Sequence, residues 1–285
     1  MLDWPTARDY RDYMARHLDD SRQVTGYADQ GAVVLKGEAR ITGIGRVQVG
    51  EREVTADHLV IATGSSTTIP PIPGLDEVTT WTNRETYTLA DLPARAVIIG
   101  GGPVGIETAQ FLARFGVAVT LLERSDRVLD REEPRVSELA AGYLREAGVE
   151  VRTGASVRHA HREGAESVVD FDDGSQAHGT VVILATGRAP RTAGLGLEHT
   201  GVGVGERGEI IVDEHCRVPR GCGRSGTSPA SCRSPMSPST KAASSPTASW
   251  VARGQLDTRA SLASCSPTRK SPPPGSPRPR PTGRA

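Results

Sequence analysis

Three glycines and one acid carry the clearest chemistry in this 285-residue chain. Gly100, Gly102 and Gly105 form the pattern G-x-G-x-x-G inside "RAVIIGGGPVGIETAQFLARFGVAVTLLER". Taken alone the pattern is weak. Here an apolar run precedes it and an amphipathic helical run follows, so the segment reads as strand, tight turn, helix and second strand. In such a turn the first glycine permits the reversal, the second lets a pyrophosphate approach the backbone, and the third lets helix and strand pack closely. The helix N-terminus presents unpaired N–H groups and a partial positive charge to phosphates. Glu123 lies 18 residues beyond Gly105, at the end of the second strand. A carboxylate there accepts hydrogen bonds from ribose hydroxyls and repels a 2′-phosphate, which favours NAD over NADP. Arg124 and Arg127 follow at once and could pair with a 2′-phosphate. Glu107, in the first helical turn, has two readings: an acid favoured near a helix N-terminus, or a contact near a nicotinamide.

The elements around this turn predict an α/β fold. A helix is expected over 6–21, with Tyr10, Met14 and Leu18 on one stripe. Strand-forming runs follow at 32–41, 46–50 and 57–66. "TIPPIPGLDEV" is barred from helix by its prolines and reads as an extended crossing. After the glycine-rich unit come a helix over 134–148, a strand over 149–154, a meander with a "DDG" turn, and a buried strand in "TVVILATGRAP".

Charge divides the chain. The totals cancel, with 34 Lys and Arg against 34 Asp and Glu. From Val218 onward, however, eleven Lys and Arg stand against one Asp, so that the tail carries +10 and residues 1–217 carry −10. The tail is too poor in large apolar residues to bury a core and is expected to be disordered. Its positive charge could attract nucleic acid, but Trp250 is its only aromatic residue, which argues against base stacking. No apolar run approaches the length that spans a membrane, and "MLDWPTARDY" lacks the form of a secretory signal. A cytoplasmic protein with neither a nucleic-acid nor a membrane partner is expected. Cys216, Cys222, Cys232 and Cys265 form no C-x-x-C pair, so neither a disulfide framework nor a metal site is expected.

With "VIIGGGPVGIE", "VIATGSSTTIPPIPG", "VILATGRAPRTAGLGLE" and "GEIIVDEHCR" in this order, the chain resembles the pyridine nucleotide-disulfide oxidoreductase family over residues 1–217. The resemblance implies a Rossmann-like NAD(P)-binding domain at 94–190, inserted in an FAD-binding domain represented by 1–78 and 191–217. Residues 79–93 form a crossing and 218–285 a disordered basic tail. It implies that Gly100, Gly101, Gly102, Pro103, Val104, Gly105, Ile106 and Glu107, with Glu123, Val157 and Gly187, line the NAD(P) site. Glu107 is thereby placed near the nicotinamide. Thr63, Gly64 and Ser65, with the backbone near Ala39, are placed against FAD. The implied activity is hydride transfer from NAD(P)H to flavin and on to an unknown acceptor, in a homodimer. The family's first G-x-G-x-x-G and its redox-active cysteine pair are expected to precede the point where this chain starts. Its "GD" flavin motif and dimerisation domain are not readable in the tail, so no catalytic residue is assigned.

The tail itself carries a test of that absence. Codons for "RGCGRSGTSPA" (220–230), read two bases further on, are compatible with Gly-Val-Trp-Ala-Val-Gly-Asp-Val-Thr-Gly, the missing flavin motif. The same shift from Ser234 permits FTHVAKYQGRIVAD, and from Leu262 permits PRVVFTDPEVA. Three matches in family order lead to the expectation that the reading frame changes between Cys216 and Val218. The chain is then a partial or impaired form.

Overall fold

The computed structural model describes residues 2–218 and 249–252. The remainder of the tail, on which most of the disorder and reading-frame expectation falls, lies outside the described residues. In chain order the elements are α1 (Trp4–Met14), α2 (Ser21–Asp29), β1 (Val33–Lys36), β2 (Ala39–Gly43), β3 (Arg46–Val49), β4 (Arg52–Thr55), β5 (Ser65–Thr67), β6 (Thr80–Trp81), α3 (Asn83–Tyr87), β7 (Arg95–Ile99), α4 (Pro103–Arg114) and β8 (Ala118–Leu122). Then come α5 (Pro134–Glu146), β9 (Glu150–Arg152), β10 (Val157–Glu163), β11 (Glu166–Phe171), β12 (Gln176–Gly179), β13 (Val181–Leu184), β14 (Arg188–Pro190) and β15 (Ser249–Ala252).

A parallel five-stranded sheet, ordered β6-β13-β7-β8-β9, forms the centre. Its strands are short, apolar and rich in Val and Ile, as a sheet covered on both faces requires. Alternate side chains feed two cores. Ala96, Ile98, Val119, Leu121, Val181 and Ile183 face α4 and α5, where Ala109, Leu112 and Leu144 meet them. Val97, Ile99, Leu122, Val182 and Leu184 face the antiparallel meander β10-β11-β12, which supplies Ala160, Val169, Phe171 and Ala177. The result is a three-layer Rossmann-like unit. Both helices start with a proline in the first turn, where its missing N–H costs nothing.

Outside this unit, β2-β3-β4 make a small antiparallel sheet closed by Leu195 and Leu197. β5 pairs antiparallel with β14. The stretches that follow the two ATG triplets, 65–67 and 188–190, therefore run side by side.

Several sequence expectations shift. The first helix begins at Trp4 and ends at Met14, and Tyr10, Met14 and Leu18 are all more than half exposed. The anchor is aromatic instead: Trp4 packs edge-on against Phe111 and Phe115, and its indole N–H donates to the Ala90 carbonyl. Of the strand expected over 57–66, only Ser65 and Ser66 are in strand, the opening of β5. The apolar run before them has no strand neighbour among the described residues to complete a ladder. The 79–93 segment is more than a crossing, since β6 is the outer strand of the parallel sheet and α3 follows it. Two residues of strand are too short to show a period. Within the tail, Ser249–Ala252 runs antiparallel to β1 where no regular structure is expected; it is the most β-prone run of that segment.

Candidate functional site

The turn from β7 to α4 is built by backbone constraints. Gly100 has φ +114° and donates its N–H to the Leu122 carbonyl at 2.7 Å. A Cβ there would also lie 2.4 Å from the Ala185 carbonyl oxygen. A Cβ on Gly105 would fall 1.9 Å from the Gly100 carbonyl oxygen, backbone against backbone, so only glycine lets α4 lie this close to β7. Gly102 differs: it caps α4, no side chain caps the helix in its place, and a Cβ there would meet nothing within 4 Å. The middle glycine thus faces open space, while the first and third face protein. That division is the one a pyrophosphate seat requires.

Glu123 is fixed from both sides. Its Oε2 accepts the Gly101 N–H at 2.6 Å and its Oε1 accepts the Ser125 N–H at 2.8 Å. The acid and the glycine turn are therefore one hydrogen-bonded unit, with the remaining lone pairs of the carboxylate available to a ligand.

Above the turn lies a cavity of about 810 Å³ at the carboxyl ends of β7, β8 and β13, the place where ligands bind in open α/β sheets. Of the sequence-predicted residues, Gly100, Gly102, Pro103, Val104, Glu123, Val157 and Gly187 line it. Gly101 and Gly105 are buried behind that lining, and Ile106 packs on the helix-side core. Glu107 is exposed on α4 and outside the lining; burial, and to a smaller extent the Glu107 charge, raises the Tyr87 hydroxyl above the usual tyrosine range. Ala39, Thr63, Gly64 and Ser65 are not part of the cavity wall. Ala39 is buried in β2 and paired with Val49, and Ser65 accepts from the Arg188 guanidinium.

Sequence reasoning missed one wall. Residues 129–132 form part of the cavity wall beside the turn. Leu129 adopts φ +49° and donates its N–H to the Gly101 carbonyl at 2.9 Å. Arg127 holds this segment, donating to the Glu132 carbonyl, the Ser137 hydroxyl and the Asp130 carbonyl. It is committed internally, whereas Arg124 lines the cavity without a hydrogen bond or ion pair among the described residues.

Fold and turn together define an α/β protein of the Rossmann type. The chain belongs to the pyridine nucleotide-disulphide oxidoreductase family, whose model matches residues 5–221. It is 38% identical over 225 residues to a mercuric reductase of Streptomyces lividans, covering 76% of this chain and 47% of that protein. It is 35% identical over 208 residues to a mercuric reductase of Bacillus cereus, covering 72% and 33%. Among solved structures it is similar to the HOCl-induced flavoprotein disulfide reductase RclA from Escherichia coli, with TM-score 0.71 and 29% identity over 76% of this chain and 50% of that one. The chain thus spans half or less of the length of these relatives. Among the described residues no helix is long and apolar enough to cross a membrane.

Proposed function

We propose that the chain binds a nicotinamide dinucleotide over the β7–α4 turn, as the nucleotide-binding half of a flavin-dependent NAD(P)H oxidoreductase whose electron acceptor is unassigned. The observation that carries this reading is the opposed environment of the three glycines: two locked against backbone, one facing open space at a free helix N-terminus. The bound reduced nicotinamide supplies the hydride for a flavin. The chain's own part is to seat the diphosphate at the amides of the turn and to hold the adenosine ribose on Glu123. Because both Glu123 oxygens are pinned to backbone N–H groups, the acid is already oriented before the ribose arrives. NAD is preferred over NADP on the strength of Glu123, which repels a 2′-phosphate; Arg127 spends its donors on the 129–132 wall, which leaves Arg124 in the cavity lining as a cation that favours the phosphate.

Flavin contacts at Ala39, Thr63, Gly64 and Ser65 belong to the same reading, as do a cytoplasmic location, a homodimer, and the lack of nucleic-acid or membrane partners. Those four residues are not in the cavity wall, although Ser65 accepts from Arg188, which is. Their place outside that wall favours a second reading, an NAD(P)-binding module without flavin chemistry.

Calorimetry on the full chain with NADH and NADPH tests the first step. NADH is expected to bind more tightly, and Gly102→Val to abolish the heat. No heat with either coenzyme overturns the proposal. A visible spectrum after addition of FAD separates the two readings. A flavin band that NADH bleaches marks an oxidoreductase, and NADH binding with no retained flavin marks the module.

A further inference from the structure

The outer face of the meander, away from the nucleotide cavity, carries two histidines and an acid that converge on one point. His159 and His161 are two apart on β10, so both project from the same face of the strand. Ala160 between them is fully buried in the opposite face. Asp170 stands directly across the ladder from His159, which puts its carboxylate on the histidine face. Asp170 Oδ2 lies 3.4 Å from His159 Nδ1 and 3.1 Å from His161 Nδ1. One atom from each of the three residues falls within 4.8 Å of the other two.

The other ends of two of these groups, His161 and Asp170, are anchored. His161 Nε2 lies 3.1 Å from Glu163 Oε1. Asp170 Oδ1 accepts from Gln176 Nε2 at 2.8 Å. A carboxylate at Nε2 draws the ring proton there and leaves a lone pair on Nδ1. His161 Nδ1 is indeed buried without a hydrogen-bond partner. A lone pair facing a carboxylate oxygen at this distance is unfavourable unless a positive charge lies between them. A proton satisfies one imidazole. His159 can stay neutral and donate from Nδ1–H to Asp170, so the competing arrangement is a single added proton on His161, with the two rings stacked at a centroid distance of 5.6 Å. One divalent ion serves all three ligand atoms at once. The spacing suits it: metal–ligand bonds of about 2.0–2.1 Å arranged tetrahedrally put neighbouring ligand atoms roughly 3.3–3.4 Å apart.

We propose that His159, His161 and Asp170 form a binding site for a divalent transition-metal ion of the zinc class, with Glu163 and Gln176 orienting the ligands. Two imidazoles and one carboxylate suit such an ion better than magnesium or calcium, which take oxygen ligands. Three protein ligands leave a fourth position for water. The ion ties β10 to β11, and its site is independent of the dinucleotide reading.

Cobalt(II) is the probe, added to the full chain. The expected result is visible absorption of four-coordinate cobalt, saturating at one equivalent and displaced by zinc(II). His159→Ala and His161→Ala each remove it, with circular dichroism showing the fold retained. Glu163→Gln weakens binding by about 10–100-fold. His178→Ala, on the neighbouring strand β12, leaves it unchanged. Absence of the four-coordinate spectrum in the unaltered protein overturns the proposal. So does a spectrum that persists in both single histidine variants, because the ion then sits elsewhere, on cysteine for example.

Discussion

The two halves of the described chain use similar apolar residues with opposite results. In the nucleotide-binding unit, Val97, Ile98, Leu112, Leu121, Val181 and Val182 are all completely buried. Outside that unit, Val60 is 77% exposed, Ile69 70% and Ile44 84%. Composition does not explain this, for "LVIAT" at 59–63 is as apolar as "AVIIG" at 96–100. What differs is company. The parallel sheet has strands paired in register and a layer on both faces, whereas 59–63 has no strand neighbour among the described residues and packs on one side only, through Leu59 and Ile61 against the Ile41 core. Apolar sequence proposes burial; only neighbouring elements provide it.

The largest expected effect tests that contrast directly. Leu121→Ala removes a side chain with no exposed surface and is expected to cost about 2–5 kcal/mol. Val60→Ala is expected to change stability by less than about 0.5 kcal/mol. Urea unfolding midpoints measure both, and equal losses would break the distinction. Next in size, Gly105→Ala forces a Cβ onto the Gly100 carbonyl, expected to cost about 1–3 kcal/mol and to abolish NADH binding. Gly64→Ala meets no steric contact but sits at φ +68°, so it is expected to cost roughly 1–2 kcal/mol with NADH affinity retained. Calorimetry on the two variants sharpens the comparison from energy to function. Limited proteolysis extends it along the backbone: a fragment spanning 94–190 is expected to survive longest, and early cleavage inside it would contradict the division.

Much of this unit is legible in sequence because its signals are local and repeated. The run before Gly100, the Gly spacing, the helix stripe and Glu123 each point to the same turn, and they need no distant partner to be read. The regions that differ from expectation depend on distant contacts. Trp4 finds its place only through Phe111 and Phe115. The 129–132 wall is tied to the turn by the Leu129 N–H on the Gly101 carbonyl, 28 residues back in the chain. The His159–Asp170 pairing depends on strand register; in sequence "HAH" is simply part of a meander strand, and the acid eleven residues on gives no signal that it lies opposite. The contacts of Ala39, Thr63 and Ser65 are read from the family resemblance, and the cavity does not gather them.

The smallest expected effect lies at the joint between the two halves. Helix α3 follows the edge strand β6, and its first residue, Asn83, lines the cavity while its Oδ1 accepts from Thr67 Oγ1 and Arg188 Nη1, both at 3.3 Å. A capping box sets the start of this helix. Glu85 Oε2 accepts from the Thr82 N–H at 2.8 Å and from its hydroxyl at 2.6 Å. Burial pushes the Glu85 carboxyl up, but the Thr82 hydrogen bonds outweigh it and hold the group below the usual glutamate range. Glu85→Ala is therefore expected to cost about 0.5–2 kcal/mol at neutral pH. A depressed carboxylate stabilises fully above its unfolded pKa of about 4.3. That contribution fades as pH falls through the lower folded value. The gap between wild type and Glu85→Ala is thus expected to close in acid, when urea midpoints are compared at neutral pH and below pH 4. A gap that stayed constant would mean that Glu85 acts through packing rather than through its charged hydrogen bonds. The hydrogen bonds of Asn83 to Thr67 and Arg188 would then be positioned by the packing of α3 alone.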